Sequence, residues 1–411
     1  MMFKEKLQDL AVAGGKPAFE NKLHVGRPNL GDRAALMQRL NDVLDRRWLT
    51  NSGEYLREFE RRVATFTGAK HCVAMCNGES ALQIAIKALG MKGEVIVPAF
   101  TFVATAHALQ WQEITPVFAD VDPVTHLIDP ASVRRLITPR TTGILGVHLW
   151  GQPCPTRELE TIAQQHGLKL LFDAAHAFGC EHEGRMIGGF GDAEVFSFHA
   201  TKFVNSLEGG AIITNSDELA RTARMMMNFG FVGFDDVRYV GMNAKMNEFS
   251  AAMGLTSLEA MEKFVSLNER NHRLYRQHLA GIPGVQLHEY RPSGRFNFQY
   301  LLADVSPEHC PLSRDHLLDV LWAENVVARR YFYPGVHRME PYRTLFPDAA
   351  AHLPNTERVS AGVLVLPTGE TLQPEDIERV CGIIRAAVQH AGALNKLLPS
   401  SLHHVHKSMI H

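Results

Sequence analysis

The sequence is poor in the features that mark several other protein classes. Its six cysteines form no CxxC pair and have no histidines at the spacing of a zinc site, so we predict reduced thiols and no metal ligands. No stretch approaches the roughly 20 apolar residues that a membrane span needs, and the first residues are charged rather than apolar. Internal repeats and low-complexity segments are also missing. These absences predict a cytoplasmic protein with no membrane segment.

An excess of charge of one sign is missing as well. The 42 basic and 44 acidic residues give a net charge of −2, which excludes a general attraction to nucleic acid or to an anionic membrane. Any anionic ligand must therefore be bound by a local site. At 411 residues and 45% hydrophobic content, the chain is long enough for two packed units. We predict a large α/β domain over residues 1–255, a small α+β domain over 256–395 and a flexible tail over 396–411.

Short apolar runs alternate with helical patterns between residues 70 and 215. Because the runs are short and rich in β-branched and aromatic residues, they predict strands rather than buried helices. The predicted strands are His71–Met75, Glu94–Val97, Thr115–Ala119, Gly143–His148, Leu168–Phe172, Glu194–Phe198 and Gly210–Thr214. The alternation indicates a mostly parallel sheet covered by helices on both faces. In such a sheet, ligands bind where the carboxyl ends of the strands lead into loops.

Longer helical patterns dominate after residue 215. They cover Asp217–Asn228, Asn247–Leu279, Arg314–Glu324 and Pro374–His390, with a short strand at Gln299–Asp304. This mixture predicts the smaller α+β domain.

Two polar residues follow neighbouring predicted strands. Asp173 comes directly after an apolar strand, where it either caps a following helix or pairs with a protonated ring nitrogen of a cofactor. Lys202 lies between two core strands, where a permanently charged ammonium is costly. A lysine in such a place loses its proton and becomes nucleophilic toward an aldehyde. Either residue alone has an ordinary structural explanation, but the pair predicts an active site.

Two further strand ends carry candidate ligand contacts. The segment Cys76–Ser80 reads as a turn that opens a helix, and the free N–H groups of a helix start bind phosphate. A glycine in such a turn, here Gly78, is common without any ligand, but Ser197 could add a hydroxyl group to the same phosphate. Phe102, after another strand, is either a core residue or a flat surface for a cofactor ring.

These segments together resemble the DegT/StrS family of nucleotide-sugar aminotransferases, over residues 25–388. The other matching segments are Trp48–Gly53, Pro98–Thr105, Val147–Pro153 and Gly241–Glu248. The resemblance implies the aspartate-aminotransferase-like architecture called fold type I. It also implies the cofactor pyridoxal 5'-phosphate, with pyridoxamine phosphate as its form between the two half-reactions.

The resemblance assigns roles to individual residues. It implies that Lys202 is the Schiff-base lysine and proton shuttle and that Asp173 is the partner of the pyridine nitrogen. The other implied cofactor contacts are the ring-stacking Phe102, His176 beside the phenolic oxygen, and the phosphate-binding Gly78, Glu79 and Ser197. Glu79 departs from the family, which commonly has Thr or Ser there. A carboxylate repels phosphate, so we expect a backbone N–H or Ser80 to make that contact.

The resemblance also bears on the partners. It implies that Asn243 reaches the phosphate of a neighbouring subunit, and hence an obligate homodimer with shared sites. By family position, the candidate substrate contacts are Thr50, Asn51, His148, Tyr333, His337 and Arg27. Arg329 and Arg330 could bind a carboxylate or a diphosphate, or could be ordinary surface charges.

The His199–Lys202 segment is most similar to the branch of sugar 4-aminotransferases. This similarity implies amination of dTDP-4-dehydro-6-deoxy-D-glucose to dTDP-4-amino-4,6-dideoxy-D-glucose, with glutamate as the amino donor. Amination at C3, another nucleotide, glutamine as donor, and an antibiotic or lipopolysaccharide pathway all stay open. A sugar dehydratase fits less well, because such relatives have histidine in place of Lys202. A non-catalytic cofactor-binding regulator is the remaining alternative.

Overall fold

The order of elements follows the predicted alternation of strands and helices. The computed structural model describes residues 4–290 and 294–398. Within them, the strands of the central sheet in chain order are β1 His71–Met75, β2 Glu94–Pro98, β3 Thr115–Ala119, β4 Thr141–Val147, β5 Lys169–Asp173, β6 Ala193–Ser197 and β7 Gly210–Thr214. All seven predicted strands are present, with ends shifted by at most two residues.

The central sheet is mostly parallel. Its strand order is β1-β7-β6-β5-β4-β2-β3, and only β7 runs antiparallel to its neighbours β1 and β6. The strands are buried almost along their whole length, as parallel strands covered on both faces must be. Because β4, β5 and β6 are adjacent and parallel, their carboxyl ends meet at one edge of the sheet.

Helices cover the central sheet, and further helices follow in the second part of the described chain. The helices of the first part are α1 Arg33–Arg46, α2 Glu54–Thr67, α3 Gly78–Ala88, α4 Val103–Gln110, α5 Pro130–Leu136, α6 Thr156–His166 and α7 Asp217–Met226. Those of the second part are α8 Glu248–Glu259, α9 Met261–Leu279, α10 Arg314–Ala323, α11 Tyr342–Leu345, α12 Pro354–Gly362, α13 Pro374–Gln389 and α14 Ala391–Leu397. Of the described residues, no helix has both the length and the apolar character to cross a bilayer.

One predicted helix is divided in two. The pattern over Asn247–Leu279 predicts a single helix, but the chain leaves helical geometry at Ala260. Helix α8 is buried on nearly all sides, whereas α9 buries one face only. The two helices therefore meet different surroundings, which the apolar spacing alone does not reveal.

A second, smaller sheet is antiparallel. It consists of β8 Val285–Leu287, β9 Leu301–Val305 and β10 Val363–Leu366, in that order. Helices α9, α10 and α13 pack together beside it, and their apolar residues form a core separate from that of the central sheet. The predicted α/β architecture with a smaller α+β unit is thus confirmed.

The start of the chain packs with the smaller unit. Leu10 and Phe19 belong to its core, and the buried carboxylate of Glu324 accepts the backbone N–H groups of Ala11 (2.8 Å) and Ala18 (2.7 Å). The division into domains at residue 255 stays a prediction. Most of the predicted flexible tail, residues 399–411, lies outside the described residues.

Candidate active site

A cavity of about 570 Å³ opens at the carboxyl ends of the central strands. The loops after β1, β2, β5 and β6 line it from the large unit, which is where a parallel sheet binds its ligands. Segments of the smaller unit close it from the other side. The lining side chains discussed below are Asn77, Gly78, Glu79, Phe102, Asp173, His176, Ser197, Lys202, Tyr300, Arg329, Tyr331 and Phe332.

Asp173 is the last residue of β5 and is only 6% exposed. Its carboxylate accepts hydrogen bonds from the hydroxyl of Thr105 (2.9 Å) and the backbone N–H of Ala175 (3.1 Å). Burial raises the pKa of Asp173 above its usual value, against these hydrogen bonds and the charge of Lys202. A carboxylate has about four acceptor positions. Capacity for a cationic donor in the cavity therefore remains.

The amine of Lys202 lines the same cavity. It donates a hydrogen bond to the hydroxyl of Tyr300 over 3.2 Å. Burial lowers the pKa of Lys202 to about 8, although the charges of Asp173 and Tyr331 oppose the shift. A substantial fraction of the amine is therefore neutral near physiological pH, which is the state that attacks a carbonyl group.

The start of α3 lies at one end of the cavity. Asn77 caps this helix by accepting the N–H of Ser80 over 2.7 Å, and Gly78 is its first residue. A Cβ at Gly78 would lie 3.1 Å from Cβ of Ser197, and one at Gly210 would lie 2.4 Å from the backbone of Asn77. This close packing holds a serine hydroxyl beside a helix start, a combination suited to binding phosphate.

Glu79 stands where the family commonly has Thr or Ser, and Ser80 follows it. Glu79 is exposed and is one of the residues that line the cavity. The N–H of Ser80 is already used in capping the helix. The backbone N–H of Ser80 is therefore already bonded. The Ser80 hydroxyl and the other N–H groups in the first turn of α3 remain as candidate contacts for a phosphate.

Aromatic rings form one wall of the cavity. Phe102 is 56% exposed, and its ring centre lies 6.0 Å from that of Phe332, which stacks on Trp150 at 5.2 Å. His176 packs against Tyr300 at 4.2 Å. Burial holds the pKa of His176 well below its usual value, so the imidazole is neutral.

Three predicted substrate contacts do not line this cavity. His148 is fully buried, accepts the N–H of Cys154 (3.1 Å) and lies 2.8 Å from Glu194. His337 is buried and bonded to a glutamate, and the ring of Tyr333 is covered by two guanidinium groups. The motif spacing places these residues near the site but does not show which way their side chains point.

Four more predicted contacts are exposed and lie away from the cavity of their own chain. They are Thr50, Asn51, Arg27 and Asn243. Of the two further arginines, Arg329 lines the cavity, whereas Arg330 is bonded to Asp315 over 2.9 Å.

The sequence prediction missed several residues of the cavity. Tyr300, Tyr331 and Phe332 come from the smaller unit, far along the chain from Lys202, and no motif spacing marks them. Thr105, which binds Asp173, had a weak signal, since it follows Thr101 by one helical turn at the start of α4. Its position in the Pro98–Thr105 segment could have suggested a role.

An α/β fold of this topology, with a strand-end aspartate and a lysine of lowered pKa in one cavity, defines an aminotransferase of fold type I. The chain belongs to the DegT/DnrJ/EryC1/StrS aminotransferase family, whose model matches residues 31–385. The predicted family, fold class and enzyme class are thereby confirmed.

Known relatives cover almost the whole chain. A dTDP-4-amino-4,6-dideoxy-D-glucose transaminase of Shigella dysenteriae is 37% identical over 89% of this chain and 99% of its own. A GDP-perosamine synthase of Caulobacter vibrioides is 35% identical over 82% of this chain and 91% of its own. The crystal structure of DesI in the presence of its TDP-sugar product has a TM-score of 0.91 at 48% identity, and covers 95% of this chain and 99% of that chain.

Proposed function

We propose that this protein transfers an amino group from glutamate to the C4 ketone of dTDP-4-dehydro-6-deoxy-D-glucose, giving dTDP-4-amino-4,6-dideoxy-D-glucose. The observation that carries the proposal is the convergence of a partly neutral amine, Lys202, and a buried carboxylate, Asp173, on one cavity. The names of the transaminase of Shigella dysenteriae and of DesI with its TDP-sugar support the substrate.

The residues of the cavity fit pyridoxal 5'-phosphate. Lys202 can hold an aldehyde, Asp173 a protonated ring nitrogen, and Gly78 and Ser197 a phosphate, while the volume suits a ligand of this size. When bound, this cofactor supplies an electron sink for the carbanion chemistry of amino-group transfer. Phe102 is the exposed ring available to stack on it, and the neutral His176 can accept or donate a hydrogen bond beside it.

The chain's own groups then have separate tasks. With the cofactor bound, the free Nζ of Lys202 would move a proton between the substrate carbon and the cofactor carbon, which its pKa of about 8 allows near neutral pH. Asp173 would keep the ring nitrogen protonated, because a buried negative charge stabilises a neighbouring cation.

The amino donor needs a positive group. Arg329 is exposed, lines the cavity and lies with its guanidinium carbon 5.4 Å from the ring centre of Tyr331. A guanidinium group binds a carboxylate with two parallel hydrogen bonds, so we propose Arg329 as the contact for glutamate. Arg329→Gln should then raise KM for glutamate and leave KM for the sugar nearly unchanged.

A second copy of the chain is part of the proposal. Asn243, Thr50 and Asn51 are exposed and do not line the cavity of their own chain. Large apolar side chains stand exposed near them in sequence, among them Trp48 and Leu49. Exposed apolar groups favour a protein contact, and we propose that these three polar residues complete the site of a partner subunit.

Shared sites can be tested by mixing two inactive variants, Lys202→Ala and Asn243→Asp. In a mixed dimer, one site combines an intact Lys202 with an intact Asn243 from the other chain. Random exchange of subunits should restore about a quarter of wild-type activity if each site uses both chains. No recovery after proven exchange would show that Asn243 acts within its own subunit.

The substrate can be identified with a panel of nucleotide keto-sugars. The protein would be incubated with glutamate or glutamine and with 4-keto and 3-keto sugars linked to dTDP, UDP or GDP, and the new C–N bond located by NMR. We expect an amine at C4 of the dTDP sugar and conversion of glutamate to 2-oxoglutarate. An amine at C3, or turnover of the GDP sugar alone, would overturn the proposed specificity.

A further inference from the structure

Two histidines and an aspartate meet at the boundary between the two units, outside the cavity. His126 lies in the turn between β3 and α5, His288 follows β8, and Asp304 lies in β9. One nitrogen of each imidazole and one carboxylate oxygen all lie within 4.8 Å of one another. The three residues are far apart in sequence, which is why the spacing of histidines predicts no metal ligands.

Ordinary hydrogen bonding does not account for His126. It is only 3% exposed, and within residues 4–290 and 294–398 its Nδ1 has no hydrogen-bond partner. Its Nε2 lies 3.6 Å from a carboxylate oxygen of Asp304, which is too long for a good hydrogen bond. The nitrogen that faces Asp304, Nε2, therefore lacks a good hydrogen bond, and a metal ion between it and the carboxylate would supply a partner for it.

The separations suit a shared metal ion. Nδ1 of His288 lies 3.2 Å from Oδ2 of Asp304, and Nε2 of His126 lies 3.6 Å from Oδ1 of the same carboxylate. In a tetrahedral zinc site with bonds of about 2.0–2.1 Å, neighbouring ligand atoms stand about 3.3–3.4 Å apart. One atom of each residue lies within 4.8 Å of the other two, so rotation of the carboxylate and small shifts of the two rings would bring these atoms to the tetrahedral separation.

The surroundings also suit a metal site. The amide of Gln152 lies 2.9 Å from Nε2 of His288, which directs Nδ1 of that ring toward Asp304, in the manner of the outer hydrogen bonds of metal-bound histidines. Turning the amide by 180° lets its oxygen accept instead. The Asp304 side chain is 36% exposed, which leaves a path for an ion and a position for water.

The charges around His126 are compatible with this role. The charged or titratable groups around it are Asp304, His288 and Asp122. A divalent cation would balance the charge of the Asp304 carboxylate that faces the two rings.

We propose that His126, His288 and Asp304 form a divalent-metal site of the zinc type. The ion would tie the turn after β3 to the β8–β9 sheet of the smaller unit. His126 lies 6.0 Å from the ring of Phe100, which lies at the same distance from Phe332 of the cavity wall. The proposed ion thus lies outside the cavity, separated from its wall by the ring of Phe100, and the proposal does not depend on the proposed reaction.

The test measures zinc bound to the whole chain, purified without a histidine tag. Because His403, His404, His406 and His411 could also bind zinc, all four are replaced by alanine in a full-length background. After equilibration with zinc chloride and dialysis, elemental analysis should find about one zinc per chain. X-ray absorption should show imidazole ligands near 2.0 Å, and zinc should raise Tm reversibly with EDTA.

The variants decide the location. Asp304→Asn and His126→Asn should each weaken zinc binding by more than about 100-fold, whereas His309→Asn, at an exposed histidine of the same unit, should not. Cofactor absorbance and circular dichroism check that each variant is folded. Absence of zinc from the folded background chain overturns the proposal, and so does undiminished binding in Asp304→Asn. Transaminase activity is not a readout, so failure here leaves the proposed function untouched.

Discussion

Two acid–base pairs come from strands β4, β5 and β6 and the segments that follow them, and only one of the pairs faces the cavity. Asp173 and Lys202 line the cavity, whereas His148 and Glu194 are both fully buried and lie 2.8 Å apart. Strand-end position marks Asp173 and His148 equally in the sequence. Comparing the two pairs therefore separates the contribution of an enclosed acid–base pair to stability from the contribution of an accessible one to ligand binding.

The sealed pair has a protein partner at each of its polar atoms and does not line the cavity. Both nitrogens of His148 have partners, and the second oxygen of Glu194 accepts the N–H of Phe190 over 3.3 Å. Asp173 also has one partner at each oxygen, but it lines an open cavity. An enclosed pair stabilises the fold, while a pair that lines a cavity can use its remaining acceptor positions to bind a ligand.

The largest effect should come from the open pair, in Lys202→Ala. Loss of the nucleophile and proton carrier should reduce turnover about 10⁴-fold or more, and the visible band of the bound cofactor should be lost without added amine. Steady-state kinetics and absorbance measure both. Lys202→Arg keeps the charge but cannot become neutral, so it should be equally inactive. Full activity in Lys202→Ala would refute the assignment.

Asp173→Asn should have the next largest effect. The amide has the same shape but cannot hold a proton on a cationic ring nitrogen, so kcat should fall by about 10³-fold with the fold intact. Kinetics and circular dichroism test this expectation. Thr105→Val, which removes only one hydrogen bond to the carboxylate, is the milder control. A rate within threefold of wild type would show that Asp173 is no more functional than Glu194.

Glu194→Gln should have the opposite effect, a loss of stability with little change in turnover. Breaking a sealed ionisable pair should lower the free energy of unfolding by about 3 kcal/mol, and kcat of the folded protein should change little. Denaturant unfolding and kinetics on the same preparation measure the two effects. A large fall in kcat at unchanged stability would contradict the separation of roles.

The smallest effect concerns the pH dependence of Lys202. Its folded pKa of about 8 means that the amine is mostly protonated below this pH, so the rate at which cofactor-free protein binds pyridoxal phosphate should fall about tenfold per unit below it. Tyr300→Phe removes an acceptor that stabilises the ammonium, and should shift the midpoint to lower pH by less than about one unit.

A matched control for that shift is Tyr275→Phe. This residue is buried in the core of the smaller unit and donates to the carbonyl of Pro367 over 2.9 Å, so the same chemical change should leave the midpoint in place. An unchanged or raised midpoint in Tyr300→Phe would mean that its hydroxyl does not interact with the Lys202 amine in solution.

Local patterns were enough to predict most of the elements. The strand that contains Val195 and Phe196, for example, is predicted from its own residues. The spacing of apolar residues and the presence of β-branched or aromatic side chains can be read within a short segment. The break at Ala260 was missed, because burial of α8 on all sides depends on helices that pack against it from elsewhere. Boundaries and breaks of this kind follow from packing rather than propensity.

The site residues also divide into those that a local pattern predicts and those that only packing brings to the cavity. Asp173 and Lys202 were predicted because each follows a buried strand, where an ionisable group is unusual. Tyr300 and Tyr331 were not marked by any such contrast. They reach the cavity because the smaller unit folds back over the sheet edge, an arrangement that no short segment encodes.

The sequence by itself determined the alternation of strands and helices, the aminotransferase family, and an aspartate and a lysine at adjacent strand ends. These follow from interactions between near neighbours and from motifs that occupy contiguous segments. Only the tertiary structure decided that His148 is sealed, that Tyr300 meets the Lys202 amine, and that His126, His288 and Asp304 converge. Which side chains share a space depends on contacts between distant segments, and these exist only once both hydrophobic cores have packed.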